Sequence, residues 1–401
     1  MLQICINRGS LKMMLSSRVY GILDTMNSVS SDGDYQDKIL PHVSRTFALT
    51  IPQLPAALAR PVTNAYLLCR IADTIEDAPA LSPPETLEFL QRFSALVGGE
   101  GDARALTRDL SGRLSERTSV TERELIENMD RVMRVTESLG KPQRAAIERC
   151  VKLMCYGMPR FQFNASLSGL KRCTDLDDYC YYVAGVVGEM LTELFCDYSP
   201  QIARHRAALS GLAASFAQGL QMTNILKDVW EDRSRGACWL PQEVFTRYGV
   251  DLSEVHKETQ DARYTSAVAE LIGVAHAHLR NALDYTLLIP AKETGIRRFC
   301  LWAIGLAILT LRKVATNPGF TSGAQVKVSH ATVSMTLSLT NASVRSNWML
   351  RRLFNLAARG VPLVRVSDLS QARPPPPIVT SAETDREPEQ ALRRSYGGSG
   401  S

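Results

Sequence analysis

The stretch from Gln221 to Asp232, Gln-Met-Thr-Asn-Ile-Leu-Lys-Asp-Val-Trp-Glu-Asp, constrains the fold more than any other part of the chain. Its amides and carboxylates recur at steps of three or four residues, the spacing that places side chains on one face of an α-helix. A row of carboxylates bordered by apolar side chains is costly to bury unless a cation neutralises it. Hard divalent cations such as Mg²⁺ take oxygen ligands of this kind and share them with phosphate groups.

A second acidic row lies much earlier in the chain, in Cys69-Arg-Ile-Ala-Asp-Thr-Ile-Glu-Asp77. Asp73 and Asp77 are four residues apart, and Glu76 falls on nearly the same helix face. Either row alone is equally consistent with a solvated acidic surface. Two such rows, each embedded in apolar helical sequence, instead predict two helices that face each other across one cavity and hold metal ions between them.

Composition excludes several classes of protein. A content of 45% hydrophobic and 22% charged residues over 401 positions is that of an ordinary globular chain. The net charge of +5 comes without a dense basic run, so we expect no nucleic-acid partner. The nine cysteines show no CxxC pairing, which favours reduced thiols and a cytoplasmic location. No apolar run reaches the roughly 18 to 20 residues that span a bilayer, and residues 299–311, flanked by Arg and Lys, predict a buried core helix.

The rest of the sequence predicts a single all-α domain over residues 35–365. Ser82 and Glu85 have the spacing of a capping box, which marks a helix start. Residues 326–341 alternate in a way that also suits a strand, but we favour a helix because the surrounding sequence is helical. Gly188 predicts a close helix contact or access for a ligand. We expect residues 1–34 to be a flexible leader and the Pro-rich residues 366–401 to be a disordered tail.

Six motifs occur between residues 40 and 320. They are Ser44-Arg-Thr-Phe47, Asp73-Thr-Ile-Glu-Asp77, Tyr179-Cys-Tyr-Tyr-Val-Ala-Gly-Val-Val-Gly188, Gln221-Met-Thr-Asn-Ile-Leu-Lys-Asp228, Glu231-Asp232 and Trp239-Leu-Pro-Gln-Glu243. In content and order these motifs resemble the squalene/phytoene synthase family, the head-to-head class of trans-isoprenyl diphosphate synthases. Within that family, the residues of these motifs are most similar to those of squalene synthases.

The resemblance implies an all-helical class I isoprenoid synthase fold with a central cavity. It further implies that two molecules of farnesyl diphosphate join to presqualene diphosphate, with Mg²⁺-assisted loss of diphosphate, and that NADPH then reduces this product to squalene. The expected partners are farnesyl diphosphate and, for product release, a peripheral contact with a membrane. We expect a monomer.

The resemblance also implies roles for individual residues. The expected Mg²⁺ ligands are Asp73, Glu76, Asp77, Asn224, Asp228 and Asp232. The residues expected to contact the substrate are Ser44, Arg45, Phe47, Tyr66, Arg70, Gln221, Asn224 and Phe299. Tyr179 corresponds to the tyrosine that assists proton removal or steadies the carbocation, and with Asp73, Asp77, Asp228 and Asp232 it makes up the expected catalytic set. Asn317 and Lys327 lie where contacts with NADPH are expected.

The chain departs from the family pattern in three places. Ala237 stands where members often have an arginine, for which Arg233 or Arg235 would substitute. Pro159-Arg160 replaces a small residue and an acid, and a tail replaces the C-terminal membrane helix of the eukaryotic enzymes. The acidic rows are equally compatible with a product that is not reduced, namely presqualene diphosphate, dehydrosqualene or phytoene. More distant alternatives are a non-catalytic helical assembly protein and a chain-elongating or cyclising synthase.

Overall fold

The computed structural model describes residues 31–44, 46–116 and 118–364, and all of them belong to one compact unit. They form α-helices and a few short 3₁₀ and π turns, with no β-strand in the described part of the chain, which confirms the predicted all-α class. The predicted leader up to residue 30 and the predicted tail lie outside the described residues. The domain boundaries therefore stay a prediction.

The first half of the described chain contains eight helices. They are α1 (Asp32–Val43), α2 (Thr46–Thr50), α3 (Ala56–Glu76), α4 (Pro83–Val97), α5 (Ala103–Ser111), α6 (Val120–Glu127), α7 (Met129–Ser138) and α8 (Lys141–Gln162). The second half contains ten. They are α9 (Cys173–Cys180), α10 (Val186–Tyr198), α11 (Pro200–Ala203), α12 (Arg206–Lys227), α13 (Val229–Ser234), α14 (Gln242–Arg247), α15 (Ala262–Leu288), α16 (Thr294–Thr316), α17 (His330–Ser343) and α18 (Asn347–Ala357).

Helix α12 is the centre of the bundle. It packs along most of its length on α15 and also contacts α10 and α16. The last seven residues of α12, from Gln221 to Lys227, are all buried, including the polar ones. The second acidic row therefore begins inside the core, where carboxylates and amides need partners.

Helix α16 is the apolar helix predicted from residues 299–311. Of the described helices it alone is long and apolar enough to cross a membrane, but two thirds of its most apolar window is buried by other helices. It packs on α12 and α15 on one side and on α17 and α18 on the other. These contacts confirm the predicted core helix.

Local sequence signals fix several helix ends. The backbone N–H of Ser82 donates to the carboxylate of Glu85 over 2.9 Å at the start of α4, which confirms the predicted capping box. Ser31 and Asp34 form a second capping box, so that α1 begins at Asp32, three residues before the predicted start of the domain. The ambiguous segment 326–341 is mainly helical, because Ser329 caps α17 and the apolar Val333 is buried on one face.

Two close helix contacts depend on glycine. A Cβ atom on Gly188 of α10 would lie 2.2 Å from the carbonyl oxygen of Ala213 in α12, and one on Gly157 of α8 would lie 2.1 Å from the ring of Tyr182. Both positions exclude a side chain for steric reasons. The predicted close approach at Gly188 is therefore confirmed. Between α9 and α10 the helix widens into a π turn at Tyr181–Gly185.

The eight cysteines in the described part of the chain are all free thiols. Seven of them are buried, which agrees with the expectation of reduced structural thiols.

Candidate active site

The two acidic rows lie at the C-terminal ends of α3 and α12. Asp73 and Glu76 are in the last turn of α3 and Asp77 is its C-cap, whereas Asp228 is the C-cap of α12 and the N-cap of α13. The C-terminus of a helix carries the negative end of its dipole, so the carboxylates of the first row repel the helix end as well as one another, which favours the binding of a cation there. Glu231 and Asp232 of the second row lie instead in the first turn of α13.

The two rows face the same space. Helices α3 and α12 both pack against α10, while direct contact between their described residues is at most marginal. The guanidinium of Arg235 connects the rows: burial works against its charge, but Asp232, Asp77 and Asp228 outweigh that effect and raise its pKa. The positive charge of Arg235 thus interacts with carboxylates of both rows. The structure brings together the acidic residues that the sequence analysis assigned to one site.

In the described part of the chain, Arg70 is the cation that pairs with the first row. Arg70 forms an ion pair with Glu122 of α6, and its second terminal nitrogen lies 3.7 Å from the carboxylate of Asp73. Desolvation raises the pKa of Asp73, and together with the charges of Asp77 and Asp73 it raises that of Glu76 well above its ordinary value. An added cation would relieve this repulsion.

The second row carries cations of its own. The buried Lys227 ammonium pairs with Asp228, and Arg235 pairs with Asp232. Burial nevertheless raises the pKa of Asp228, and it raises that of Asp232 to about 6. Glu231 accepts a hydrogen bond of 2.9 Å from the backbone N–H of Gly323, so the 3₁₀ turn Gly323–Val326 closes over this row.

The polar atoms between the rows fit a shared metal–diphosphate site. Both polar side-chain atoms of Asn224 and the carbonyl oxygen of Gln221 are buried and have no hydrogen-bond partner among the described residues. Within the same residues, no three His, Cys, Asp or Glu side chains converge closely enough to hold a metal alone. Mg²⁺ commonly takes one or two carboxylates and completes its shell with water and phosphate oxygens. The donor set therefore fits Mg²⁺ bound jointly with a diphosphate.

An apolar cavity lies between α2, α10, α12 and α16. It encloses about 500 Å³ of empty space, part of it open to solvent. Its walls include Phe47, Leu191, Phe216, Leu220, Phe299 and Ala303. Along α12, Phe216, Leu220, Asn224 and Asp228 follow at steps of four, so one helix face runs from the cavity wall to the second acidic row.

The same order holds on α3. The ring of Tyr66 packs on the cavity residue Phe47 with centroids 5.0 Å apart and planes tilted by 42°, and Asp73 lies two turns further along the helix. The two helices thus run in the same sense from an apolar end to an acidic end. An amphiphile with an apolar chain and an anionic head matches this polarity.

Tyr179 lies close to both acidic rows. Its ring stacks on Trp239 with centroids 4.3 Å apart and planes 10° from parallel, and it meets Phe161 edge-on at 5.4 Å. Desolvation, followed by the negative charges of Glu76 and Asp232, raises its pKa well above 10. Tyr179 is therefore a neutral phenol held by aromatic contacts and close to both acidic rows.

The other residues assigned to substrate binding divide into two groups. Phe47 and Phe299 line the cavity, with ring centroids 6.3 Å apart. Ser44 accepts a hydrogen bond from the backbone N–H of Phe47, and the hydroxyl of Tyr66 donates to the carbonyl of Val43, so both polar groups organise the start of α2. Arg45 lies outside the described residues.

The two residues assigned to NADPH are exposed. Asn317 caps the end of α16, and Lys327 follows the 3₁₀ turn that closes over the second acidic row. No contact of either side chain with the acidic residues is present in the described structure, so their role stays a prediction.

The structure adds residues to which the sequence analysis assigned no role. Lys227 and Trp239 both belong to the motifs, and a lysine inside an apolar helical run was the available signal for the first. Arg235 faces the carboxylates, whereas Arg233 donates to the backbone carbonyls of Leu167, Leu252 and Val255 and holds loops together. Of the two candidates to replace the family arginine, only Arg235 is at the site.

Comparison with known protein families identifies the family of this chain. The family model for squalene/phytoene synthase matches residues 40–332, which is more than half of the chain. The chain belongs to the squalene/phytoene synthase family. The region matched by the family model includes both acidic rows, Tyr179 and the cavity helices.

Several relatives are named squalene synthase. The chain is 29% identical over 280 residues to squalene synthase ERG9 of Gibberella zeae, covering 69% of this chain and 57% of that protein. It is 30% identical over 280 residues to squalene synthase clz20 of Cochliobolus lunatus, covering 69% and 64%. The chain thus spans about 60% of the length of these relatives.

Solved structures of the family share the fold. A complex of TcSQS with the ligand BPH1237 aligns with a TM-score of 0.64 at 22% identity, over 82% of this chain and 98% of that one. A dehydrosqualene synthase in complex with ligand aligns with a TM-score of 0.55 at 24% identity, over 79% and 97%. At these identities the likeness supports the isoprenoid synthase fold alone.

Proposed function

We propose that this chain is a squalene synthase, a farnesyl-diphosphate farnesyltransferase. It joins two farnesyl diphosphates head-to-head through presqualene diphosphate and reduces that product with NADPH. One observation carries the proposal: α12 runs from the wall of an apolar cavity to one row of carboxylates, and α3, whose Tyr66 packs on the cavity residue Phe47, ends in the other row. The squalene synthases among its relatives support the choice of reaction.

In the proposed first step, the bond between the allylic carbon and the diphosphate oxygen breaks, and the diphosphate leaves with the electron pair. Asp73, Glu76, Asp77, Asn224, Asp228 and Asp232 would hold Mg²⁺, which would supply Lewis-acid neutralisation of that charge. Arg235 is placed to add a forked guanidinium contact to the phosphate oxygens. To do so it would leave Asp232, whose carboxylate would then be available to the metal.

The remaining residues protect the carbocation. The apolar walls around Phe299 and Leu220 keep water, which would trap the cation, away from the farnesyl chain. The stacked ring of Tyr179 offers a π face to positive charge, and its raised pKa keeps the phenol protonated. NADPH would supply the hydride for the reduction.

Product analysis tests the proposal. Purified protein is incubated with farnesyl diphosphate and Mg²⁺, with and without NADPH, and products are extracted and analysed by gas chromatography and mass spectrometry. We expect squalene with NADPH and presqualene diphosphate without it. Dehydrosqualene in both reactions, or phytoene from geranylgeranyl diphosphate, would assign the chain to another branch of the family. No product from either donor would contradict the proposal.

We further propose a cytoplasmic monomer. Sedimentation equilibrium of the purified chain tests the oligomeric state, and a dimer would contradict it.

A further inference from the structure

The last two described helices expose an unusual amount of apolar surface. Of the eight large apolar side chains that are exposed in the described part of the chain, six lie between residues 335 and 363. They are Met335, Leu339, Trp348, Met349, Leu356 and Leu363. We call these six residues, together with Arg345, Arg352 and Arg359, the α17–α18 surface. Clustered exposed apolar side chains mark an interaction site.

Helix α17 lacks the usual charged outer face. It contains no Asp, Glu, Lys or Arg, and its outer side presents Met335, 58% exposed, and Leu339, one turn further. The outer face of a helix on a solvated protein is normally polar or charged. The exposed positions of α17 combine the apolar Met335 and Leu339 with the uncharged polar residues Ser334, Ser338 and Asn341.

Helix α18 places arginines beside exposed aromatic and aliphatic groups. Trp348 is 63% exposed, and the guanidinium of Arg352 lies 5.2 Å from the centre of its ring. Leu356 is also 63% exposed, two turns from Trp348, and the exposed Arg345 and Arg359 flank the helix. An amphipathic helix with Trp and Leu among arginines is typical of a helix that lies in the interface of a lipid bilayer.

The charge of the whole segment points to an anionic partner. No Asp or Glu occurs between Glu293 and Asp368, whereas this segment carries ten Lys and Arg residues. Arg297 among them is buried and Arg351 pairs with Asp284 of α15, so the exposed Arg345, Arg352 and Arg359 carry the charge of the surface. Helices α17 and α18 contact each other, and both pack on α16, so their outer sides belong to one region. A cationic surface with exposed apolar groups complements a layer of anionic phospholipid head groups over acyl chains.

We propose that the α17–α18 surface binds peripherally to a bilayer containing anionic phospholipids. Two other occupants fit less well. A second copy across a two-fold axis would bring the same arginines face to face. The chain's own first 30 residues carry three Lys and Arg against one Asp, and residues 365–401 carry equal numbers of acidic and basic residues, so neither segment complements the surface.

The position of the surface suits a water-insoluble product. Phe299 and Ala303 of α16 line the cavity, and Gly305 of the same helix lies against Thr336 of α17. The bilayer would therefore lie one helix layer from the cavity. This link to product release rests on the proposed function, but the binding of the surface to lipid does not.

Vesicle binding by the purified full chain tests the proposal. We compare vesicles of phosphatidylcholine with 30% phosphatidylglycerol and vesicles of phosphatidylcholine alone, at 0.1 M and 0.5 M salt. We expect binding to the anionic vesicles at least about tenfold tighter than to the neutral ones, and weaker binding at high salt. Equal binding to both vesicles, or none to either, would overturn the proposal.

Tryptophan fluorescence locates the contact. Trp230, Trp239 and Trp302 are buried, so Trp348 is the exposed one of the chain's four tryptophans. Adding anionic vesicles should shift the emission to the blue, and a brominated lipid should quench it. In Trp348→Ser, both signals should disappear. Binding without these signals would place the lipid contact elsewhere and overturn the proposal.

Matched variants separate charge from apolar contact. The triple variant Arg345→Gln, Arg352→Gln, Arg359→Gln should bind anionic vesicles on the order of 100-fold more weakly, and Trp348→Ser with Leu356→Ser at least about tenfold. The control pairs Val120→Ser with Leu167→Ser, two exposed apolar residues outside the surface. Thermal melting checks that each variant is folded.

Two further results would overturn the proposal: wild-type binding by both surface variants, or a dimer that Trp348→Ser dissociates. The variant Asp228→Asn should bind vesicles like the wild type even if it forms no product. Failure of the proposed function and failure of the lipid surface are therefore distinguishable.

Discussion

The two acidic rows have similar side chains but obtain their positive charge differently. In the second row, Lys227 and Arg235 pair directly with Asp228 and Asp232. In the first row, Arg70 is shared between Asp73 and Glu122, and no ion pair to Glu76 is present among the described residues. Among the described residues, Asp228 and Asp232 of the second row thus each have a cation, whereas Asp73 of the first row shares Arg70 with Glu122.

This difference suggests a division of labour at the site. The pairs of the second row keep its carboxylates in place before substrate arrives, and the contact of Glu231 with Gly323 adds a backbone support. Under the proposed function, the carboxylates of the first row would repel one another until metal and diphosphate bind. Substitutions in the two rows should therefore separate effects on chemistry from effects on stability.

The largest expected effect comes from removing one carboxylate of either row. Asp73→Asn and Asp228→Asn should each lower kcat at least about 100-fold, because each takes away charge that holds the metal at the leaving group. Turnover of farnesyl diphosphate at saturating Mg²⁺ measures this. The control Asp109→Asn removes an exposed carboxylate paired with Arg92 and should leave kcat unchanged. Normal turnover by Asp73→Asn or Asp228→Asn would contradict the assignment of that residue as a metal ligand.

A smaller effect is expected for the arginine of the second row. Arg235→Gln should raise KM for farnesyl diphosphate by roughly ten- to 100-fold, the cost of one charged hydrogen-bonding contact, with little change in melting temperature. Arg233→Gln should do the opposite, since Arg233 holds three backbone carbonyls, and lower the stability by about 1–3 kcal/mol. Steady-state kinetics and thermal melting of both variants measure the contrast. The same phenotype in both would show that Arg235 has no distinct role.

The smallest expected effect is on the stability of the metal-free protein. Glu76→Gln should raise it by about 0.5–1 kcal/mol, because desolvation and two neighbouring carboxylates oppose the charge of Glu76. Asp232→Asn should give no such gain, because it also breaks the pair with Arg235. Chemical denaturation in EDTA measures both variants.

Adding Mg²⁺ and pyrophosphate should then make the wild type more stable than Glu76→Gln. A ligand at 100 times its Kd stabilises the wild type by about 2.7 kcal/mol, and Glu76→Gln should lose much of that gain. Equal behaviour of the two variants would show that the two rows do not differ in their need for a cation.

The fold class and the composition of the acidic rows could be predicted from the sequence because both depend on helical period. Asp73, Glu76, Asp228 and Asp232 stand at steps of three or four residues, and the apolar sequence around them predicts burial. That the two rows face one space could not be predicted from the sequence of either helix alone. It depends on α10, against which both helices pack.

The remaining features depend on contacts between distant segments. The stack of Tyr179 on Trp239 and the closure of Gly323 over Glu231 join residues that local pattern cannot relate. The choice between Arg233 and Arg235 also required the structure, since the two residues are nearly adjacent and differ only in which groups surround them. The roles of Asn317 and Lys327 remain predictions because neither side chain contacts the site.

The π turn at Tyr181–Gly185 lies between Tyr179 and Gly188, which face the aromatic stack and the cavity respectively. A regular helix advances by about 100° per residue, so losing a single residue from this turn would rotate everything before it by that angle relative to everything after it. Exchanges of side chains within these five positions leave the phase intact, but a one-residue deletion does not. In engineering this chain, or in comparing it with shorter homologues, the number of residues in the turn is therefore a more sensitive marker of an intact cavity than their identity.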